Sequence, residues 1–195
     1  MQPAIALLEV SSIAVGIEAG DAMAKRSPID VIYAGTVHPG KYLVLVGGAV
    51  ADVEEALEAG RAVAVGTILD DVLLADVHPD VVAAMRGERR PAIGEALGII
   101  ETPTVAAIID AADAGVKGAR VRLLELRLAD GLGGKAYLLF GGSVADVEAA
   151  VEIGCRTVAA PRTVISRVIS QLHGEMRENL ESDARFRQRV AGQEA

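Results

Sequence analysis

Residues 40–60 and 134–154 align without a gap at a shift of 94 and are identical at 13 of 21 positions. A chain this rich in Ala, Val and Gly gives about two identities by chance over such a window. A second block, Ala6–Lys25, aligns with Gly98–Lys117 at a shift of 92, and Glu9, Asp21 and Lys25 recur as Glu101, Asp113 and Lys117. The shift changes by two residues between the blocks, in the stretch that reads TVHPG in the first copy and LADGLGG in the second. The 195 residues are therefore a tandem duplication whose copies diverge most in one loop. Two copies are too few for a solenoid, so the reading is two similar domains of roughly 90–95 residues in one chain.

Each copy spells the same order of elements. In the first, PAIALLEV is an apolar, β-branched run that reads as a buried strand. SSIAVGIEAGDAMAKRS reads as a helix capped by Ser11 or Ser12, with Ile13, Ile17, Gly20 and Ala24 on one face. DVIYAGTV and KYLVLVGG are two strands joined by His-Pro-Gly, hence an antiparallel pair. AVADVEEALEAGRAVAV is a second helix with Val50, Val53, Leu57 and Arg61 at helical spacing, and TILDDVLLADVHP holds a last strand and its exit turn. The order β-α-β-β-α-β is the split-βαβ, ferredoxin-like arrangement of the α+β class. The second copy repeats it with GIIET, a helix over Thr104–Lys117, RVRLLELRLA, KAYLLFGG, a helix from Val144, and a short strand near Thr157–Ala160. The expected domains are 1–87 and 95–180, joined by a charged linker at 88–94 containing Pro91 and followed by a charged tail at 181–195. A helix is expected to run to about Leu180 before that tail.

Composition removes several functions. The net charge of −8 argues against nucleic acid, whose phosphates call for a basic surface. No apolar run reaches membrane-spanning length, and the N-terminus lacks a basic-then-apolar leader. A single cysteine, Cys155, cannot form an internal disulfide, which suits a reducing cytosol. Aromatics are only 3% and Trp is absent, so aliphatic and small residues must build the core. The mean hydropathy of +0.36 is high for a small soluble chain and implies apolar surface buried between subunits.

Few residues suggest chemistry. Gly47-Gly48 and Gly141-Gly142 end strands before helices but lack the spacing of a phosphate-binding loop, so they read as tight turns. Glu9 and Glu101 would serve as an acid–base pair only with a recurring His or Cys beside them, and none recurs. His78 and His173 read as turn and surface residues.

The quoted motifs, with GGK before a strand, GSVADVEAAVEIG and a late Pro-Arg, resemble the bacterial microcompartment shell-protein domain over roughly residues 3–162. Two copies in one chain, each beginning with its LLE or IIE strand, resemble the unpermuted, tandem-domain, trimer-forming class. Within it the chain is most similar to the propanediol-utilisation type that carries an iron–sulfur cluster. The resemblance implies a homotrimer that mimics a hexamer, tiles edge to edge with other shell proteins and passes small polar metabolites through a central pore, with no catalytic activity and no cofactor. It implies that Val37, His38, Pro39, Gly40, Gly131, Leu132 and Gly133 line that pore. It also implies that Lys25, Lys117 and Arg162 make tile-edge contacts, although a lysine ending a helix also suits the helix dipole. His78-Pro79 lies near the place in the first copy that matches Arg162. His38 stands where the cluster-bearing relatives have their Cys ligand. Three imidazoles would hold a divalent metal or simply narrow the opening, and an iron–sulfur cluster loses its usual ligand.

Two other readings remain open at this point. One is a metal- or cluster-bearing electron conduit at the pore. The other is a soluble small-ligand sensor or enzyme of ferredoxin-like repeats, with a cleft between the copies.

Overall fold

The computed structural model describes residues 4–92, 94–158 and 164–182. The first copy comprises β1 (Ala4–Val10), α1 (Ile13–Arg26), β2 (Val31–Val37), β3 (Lys41–Gly48), α2 (Val50–Val63), β4 (Ile68–Leu74) and α3 (Pro79–Met85). The second comprises β5 (Ala96–Thr102), α4 (Val105–Gly118), β6 (Arg122–Leu128), β7 (Ala136–Gly142), α5 (Val144–Thr157), β8 (Ile165–Ile169) and α6 (Gly174–Glu181). Each copy forms one antiparallel four-stranded sheet, ordered β2-β3-β1-β4 and β6-β7-β5-β8. The first strand of each copy is central, which explains its unbroken apolar run: β1 is buried along its whole length.

Two helices cover one face of each sheet, and small residues set how closely they approach. Ser12 caps α1, accepting from the N–H of Val15. The buried stripe of α1 is Gly16, Ala19, Gly20 and Met23. A side chain at Gly16 would come within 2.6 Å of Tyr42. The expected face of Ile13, Ile17, Gly20 and Ala24 is therefore corrected: only its glycine faces the sheet, because the bulky residues do not fit there. On α2 the buried set is Val53, Ala56, Leu57 and Gly60, while Val50 is exposed.

The copies fill equivalent space with exchanged volumes. Met23 packs against Gly60 in the first copy. In the second, Gly115 stands at the place of Met23, and the ring of Phe140 lies where its Cβ would be, 2.5 Å away. Phe140 in turn replaces Val46, so a large helix residue over a small strand residue becomes the reverse.

Two expectations for the second copy are corrected. Thr157 closes α5, and the last strand is β8 at Ile165–Ile169 rather than a stretch near Thr157–Ala160. A continuous helix to Leu180 is replaced by β8 followed by the short α6. In β8 the exposed Ile165, Arg167 and Ile169 alternate with the half-buried Ser166 and Val168, a strand pattern that the charged surroundings obscured.

Candidate functional site: the hairpin tips and the seam between the copies

The β2–β3 and β6–β7 tips, which differ in sequence, meet in space. A Cβ on Gly134 would lie 2.7 Å from Pro39 Cδ and 2.9 Å from the His38 carbonyl oxygen. Gly134 also has φ +84°, so glycine is required there both for backbone conformation and for contact with the other tip. His38 Nδ1 stands 3.9 Å from Asp130 Oδ1, with both side chains largely exposed. Pro39, Gly40, Gly131 and Gly133 are exposed, and Val37 and Leu132 are half-buried behind them. The structure thus gathers all seven residues expected at a pore into one paired tip. Asp130, which opens the second loop, is brought there beside His38.

Behind the tips runs a polar seam. Glu9 is wholly buried; it accepts from Lys41 Nζ at 2.7 Å and from the backbone N–H of Val105 in the second copy at 2.7 Å. Lys41 Nζ also donates to the carbonyls of Pro103 at 2.9 Å and Gly134 at 3.1 Å, both in the second copy. Thr104 Oγ1 donates to Asp70, again across the seam, at 2.5 Å. Glu9 is therefore a structural tie: its carboxylate is committed to an ammonium and an amide and has no open approach for a substrate. The recurrence of Glu and of Gly-Lys in both copies was the available signal, but it does not reveal that the bonds cross from one copy to the other.

The exposed sites divide differently from expectation. Lys117 pairs with Asp113 at 2.6 Å and also donates to the Asp76 carbonyl, placing it at the seam. Lys25 pairs with Asp21 at 2.6 Å and is largely exposed. Arg162 lies outside the described residues, in the connection between α5 and β8. His78 instead follows β4 and caps α3, so it does not match Arg162 in the fold. Its match is His173, which follows β8 and precedes α6. Asp80 in the first turn of α3 accepts from Arg90 at 2.7 Å, and that bond holds its carboxyl below the ordinary value. Cys155 is a free, partly buried thiol of α5 packed against the second core.

No group of three or more His, Cys, Asp or Glu side chains suited to a metal occurs within one chain among the described residues. An iron–sulfur cluster does not fit the tip, which carries an imidazole and a carboxylate but no thiolate. No helix among the described residues is long and apolar enough to cross a membrane.

Paired split-βαβ sheets with unlike hairpin tips side by side define a tandem shell-domain protein. The chain belongs to the BMC domain family, whose model matches residues 4–77 and 96–172, and it is a structural component of a bacterial microcompartment shell. Over 177 residues it is 38% identical to the bacterial microcompartment shell protein PduT of Citrobacter freundii, covering 90% of this chain and 96% of that one. It is also 38% identical over 85 residues to the shell protein EutM of Escherichia coli strain K12, covering 43% of this chain and 86% of that protein. A solved microcompartment protein from Desulfitobacterium hafniense DCB superposes with a TM-score of 0.73 at 40% identity, covering 90% of this chain and 98% of that one.

Proposed function

We propose that three copies close head to tail into a ring of six domains, a shell tile with a small central pore and no catalytic activity of its own. One observation carries this reading: apolar residues buried in the seam within the chain have exposed counterparts at its two free ends. Val105 and Ile109 of α4 are fully buried against the first copy, whereas their counterparts Ile13 and Ile17 of α1 are 42% and 55% exposed. At the opposite end Ile165 and Ile169 of β8 are exposed, at the places that Asp70 and Leu74 of β4 hold in the seam. The polar tie recurs too. Lys135 pairs with Glu101 at 2.8 Å as Lys41 pairs with Glu9, but this second pair is much more exposed, and no backbone amide donates to Glu101 in the contacts seen among the described residues. A second copy placed as the second domain is placed on the first would offer Glu101 the N–H of Ile13 and Lys135 the carbonyls of Ser11 and Gly40. Such a head-to-tail contact, repeated, makes a closed ring or an open filament. Resemblance to the trimeric class favours closure at three.

In that ring the paired tips surround the axis. Val37, His38, Pro39, Gly40, Gly131, Leu132 and Gly133 line the pore for small polar metabolites, with His38 and Asp130 alternating around it. Arg162 and the exposed ammonium of Lys25 serve as edge contacts to neighbouring tiles, as does Lys117, which is partly exposed while it holds Asp113. The proximity of His38 to Asp130 favours a second role, a divalent metal held by nitrogen and oxygen donors at the axis. Native mass spectrometry tests the ring: a three-chain mass is expected, and a lone chain at micromolar concentration overturns it. Electron microscopy of the concentrated protein tests the tile, which is expected to give ordered sheets.

A further inference from the structure

The cations nearest the paired tips are committed to carboxylates. Lys41, at the start of β3, holds Glu9 at 2.7 Å, and Lys135, just before β7, holds Glu101 at 2.8 Å. Arg127, three residues before Asp130, is only 25% exposed and lies 3.8 Å from the buried carboxylate of Glu125. In the tips themselves, residues 36–40 and 129–134, Asp130 is the one carboxylate, and His38 is the one other side chain able to carry a charge.

The second tip is built to present Asp130. Ala129 beside it is wholly buried and has φ +49°, and no other non-glycine among the described residues has a positive φ. A residue with a side chain keeps that conformation only where its surroundings hold it. Here the Ala129 N–H donates to the Lys135 carbonyl at 3.1 Å, and its own carbonyl accepts from the Leu132 N–H at 3.0 Å. Gly131, Gly133 and Gly134 supply the remaining positive φ angles. The loop is thus closed on itself, and the Asp130 side chain is left 73% exposed, 3.9 Å from the imidazole of His38. The first tip, two residues shorter, turns on His38-Pro39-Gly40 and carries no carboxylate.

We propose that Asp130 determines the charge preference of the pore: its three copies, one from each chain, surround the opening and favour small cationic and neutral solutes over anionic ones. The inference rests on the ring proposed above. At about pH 8 a carboxylate is charged and an imidazole is not, which leaves three negative charges around the axis. The aliphatic walls of Val37, Pro39 and Leu132 do little to screen them, so their field is focused across the gap. Solutes bearing an ammonium group are drawn in, and carboxylates and phosphate esters are held back. Such a preference fades with salt, because the screening length falls from about 30 Å at 0.01 M to about 3 Å at 1 M. A preference set by width alone does not fade.

Potassium and chloride are the probes. Sheets of the full chain are laid over a porous support at about pH 8 and about 0.01 M salt, with a chelator present so that no metal offsets the carboxylates. The permeability ratio is read across a salt gradient, and the native mass of each protein is measured alongside. Potassium is expected to be favoured by at least about fivefold in the wild type and in Asp130→Glu, neither ion in Asp130→Asn, and chloride in Asp130→Lys. Glu148→Gln, which removes an exposed carboxylate of α5, is expected to match the wild type. Raising the salt to about 1 M is expected to bring the wild-type ratio close to one. A wild-type ratio near one at low salt, or an unchanged ratio in Asp130→Asn, with the three-chain mass retained, overturns the charge preference and leaves the ring standing. An equal fall in Glu148→Gln traces the preference to the overall charge of the sheet and also overturns the role of Asp130. Loss of the three-chain mass in Asp130→Asn makes the residue a structural contact, with the same consequence. A single-chain mass for the full chain, or the absence of sheets, overturns the ring or the tile and the inference with it.

Discussion

The carboxylate of Glu9, in the first copy, accepts a hydrogen bond of 2.7 Å from the backbone N–H of Val105, in the second, with no part of Glu9 exposed to solvent. Its counterpart Glu101 makes the same lysine pair in the open. One duplicated residue thus ties two domains of a chain in one instance and is free to tie two chains in the other.

Substitution at these two glutamates should therefore give different phenotypes. Glu9→Ala leaves Lys41, only 15% exposed, without its anion and the Val105 amide without an acceptor. We expect a loss of about 3 kcal/mol, typical of breaking a buried ion pair, seen as a fall in Tm by differential scanning calorimetry. Glu101→Ala should barely move the stability of the isolated chain but weaken assembly, raising the concentration of half-dissociation by roughly tenfold, equivalent to the loss of one charge-assisted hydrogen bond.

Gly134→Ala should be poorly tolerated. The new methyl meets Pro39 and His38 of the other tip and must adopt φ +84°. A cost of about 2 kcal/mol is expected from strain and overpacking, read by urea denaturation. Gly131→Ala, with a positive φ but open space around it, should cost less.

The Asp80–Arg90 pair gives a pH signature. Hydrogen bonding to Arg90 lowers the Asp80 carboxyl below its ordinary value of 3.8. A depressed folded-state pKa contributes stability above the unfolded value, and that contribution is lost as pH falls through the folded one. The stability difference between wild type and Asp80→Asn should thus be constant from pH 7 to about 5 and shrink toward zero below pH 3.8. A difference that grows on acidification would remove Arg90 as the cause.

His38→Ala should leave the three-chain mass and sheet formation intact while widening the opening at the tips, measured as faster passage of small polar solutes through reconstituted sheets. Isothermal titration with zinc should show one site per three chains in the wild type and none in the variant. Loss of assembly in the variant would instead place His38 in a structural contact.

Arg162→Glu should keep the ring and weaken edge-to-edge association, measured by light scattering and microscopy of concentrated protein. Unchanged sheets would remove the residue from the tile edge.

The recurrence of Gly40–Gly60 as Gly134–Gly154 by itself determined that the chain holds two alike domains, and the alternation of strand and helix patterns within each copy determined their βαββαβ order. Those features are local: periodicity, caps and turn glycines are set within a few residues. The two hairpin tips stood out in the sequence because the copies diverge there, while the reading of their seven residues as pore-lining came from the family resemblance. The burial of Val105 beside the exposure of Ile13, the bonds from Glu9 and Lys41 into the other copy, and the exchange of Met23 and Gly115 against Val46 and Phe140 were decided only by the tertiary structure. Identical words acquire different surroundings once one copy is docked against the other, and which face is covered depends on contacts between residues some 90 positions apart that no local pattern records.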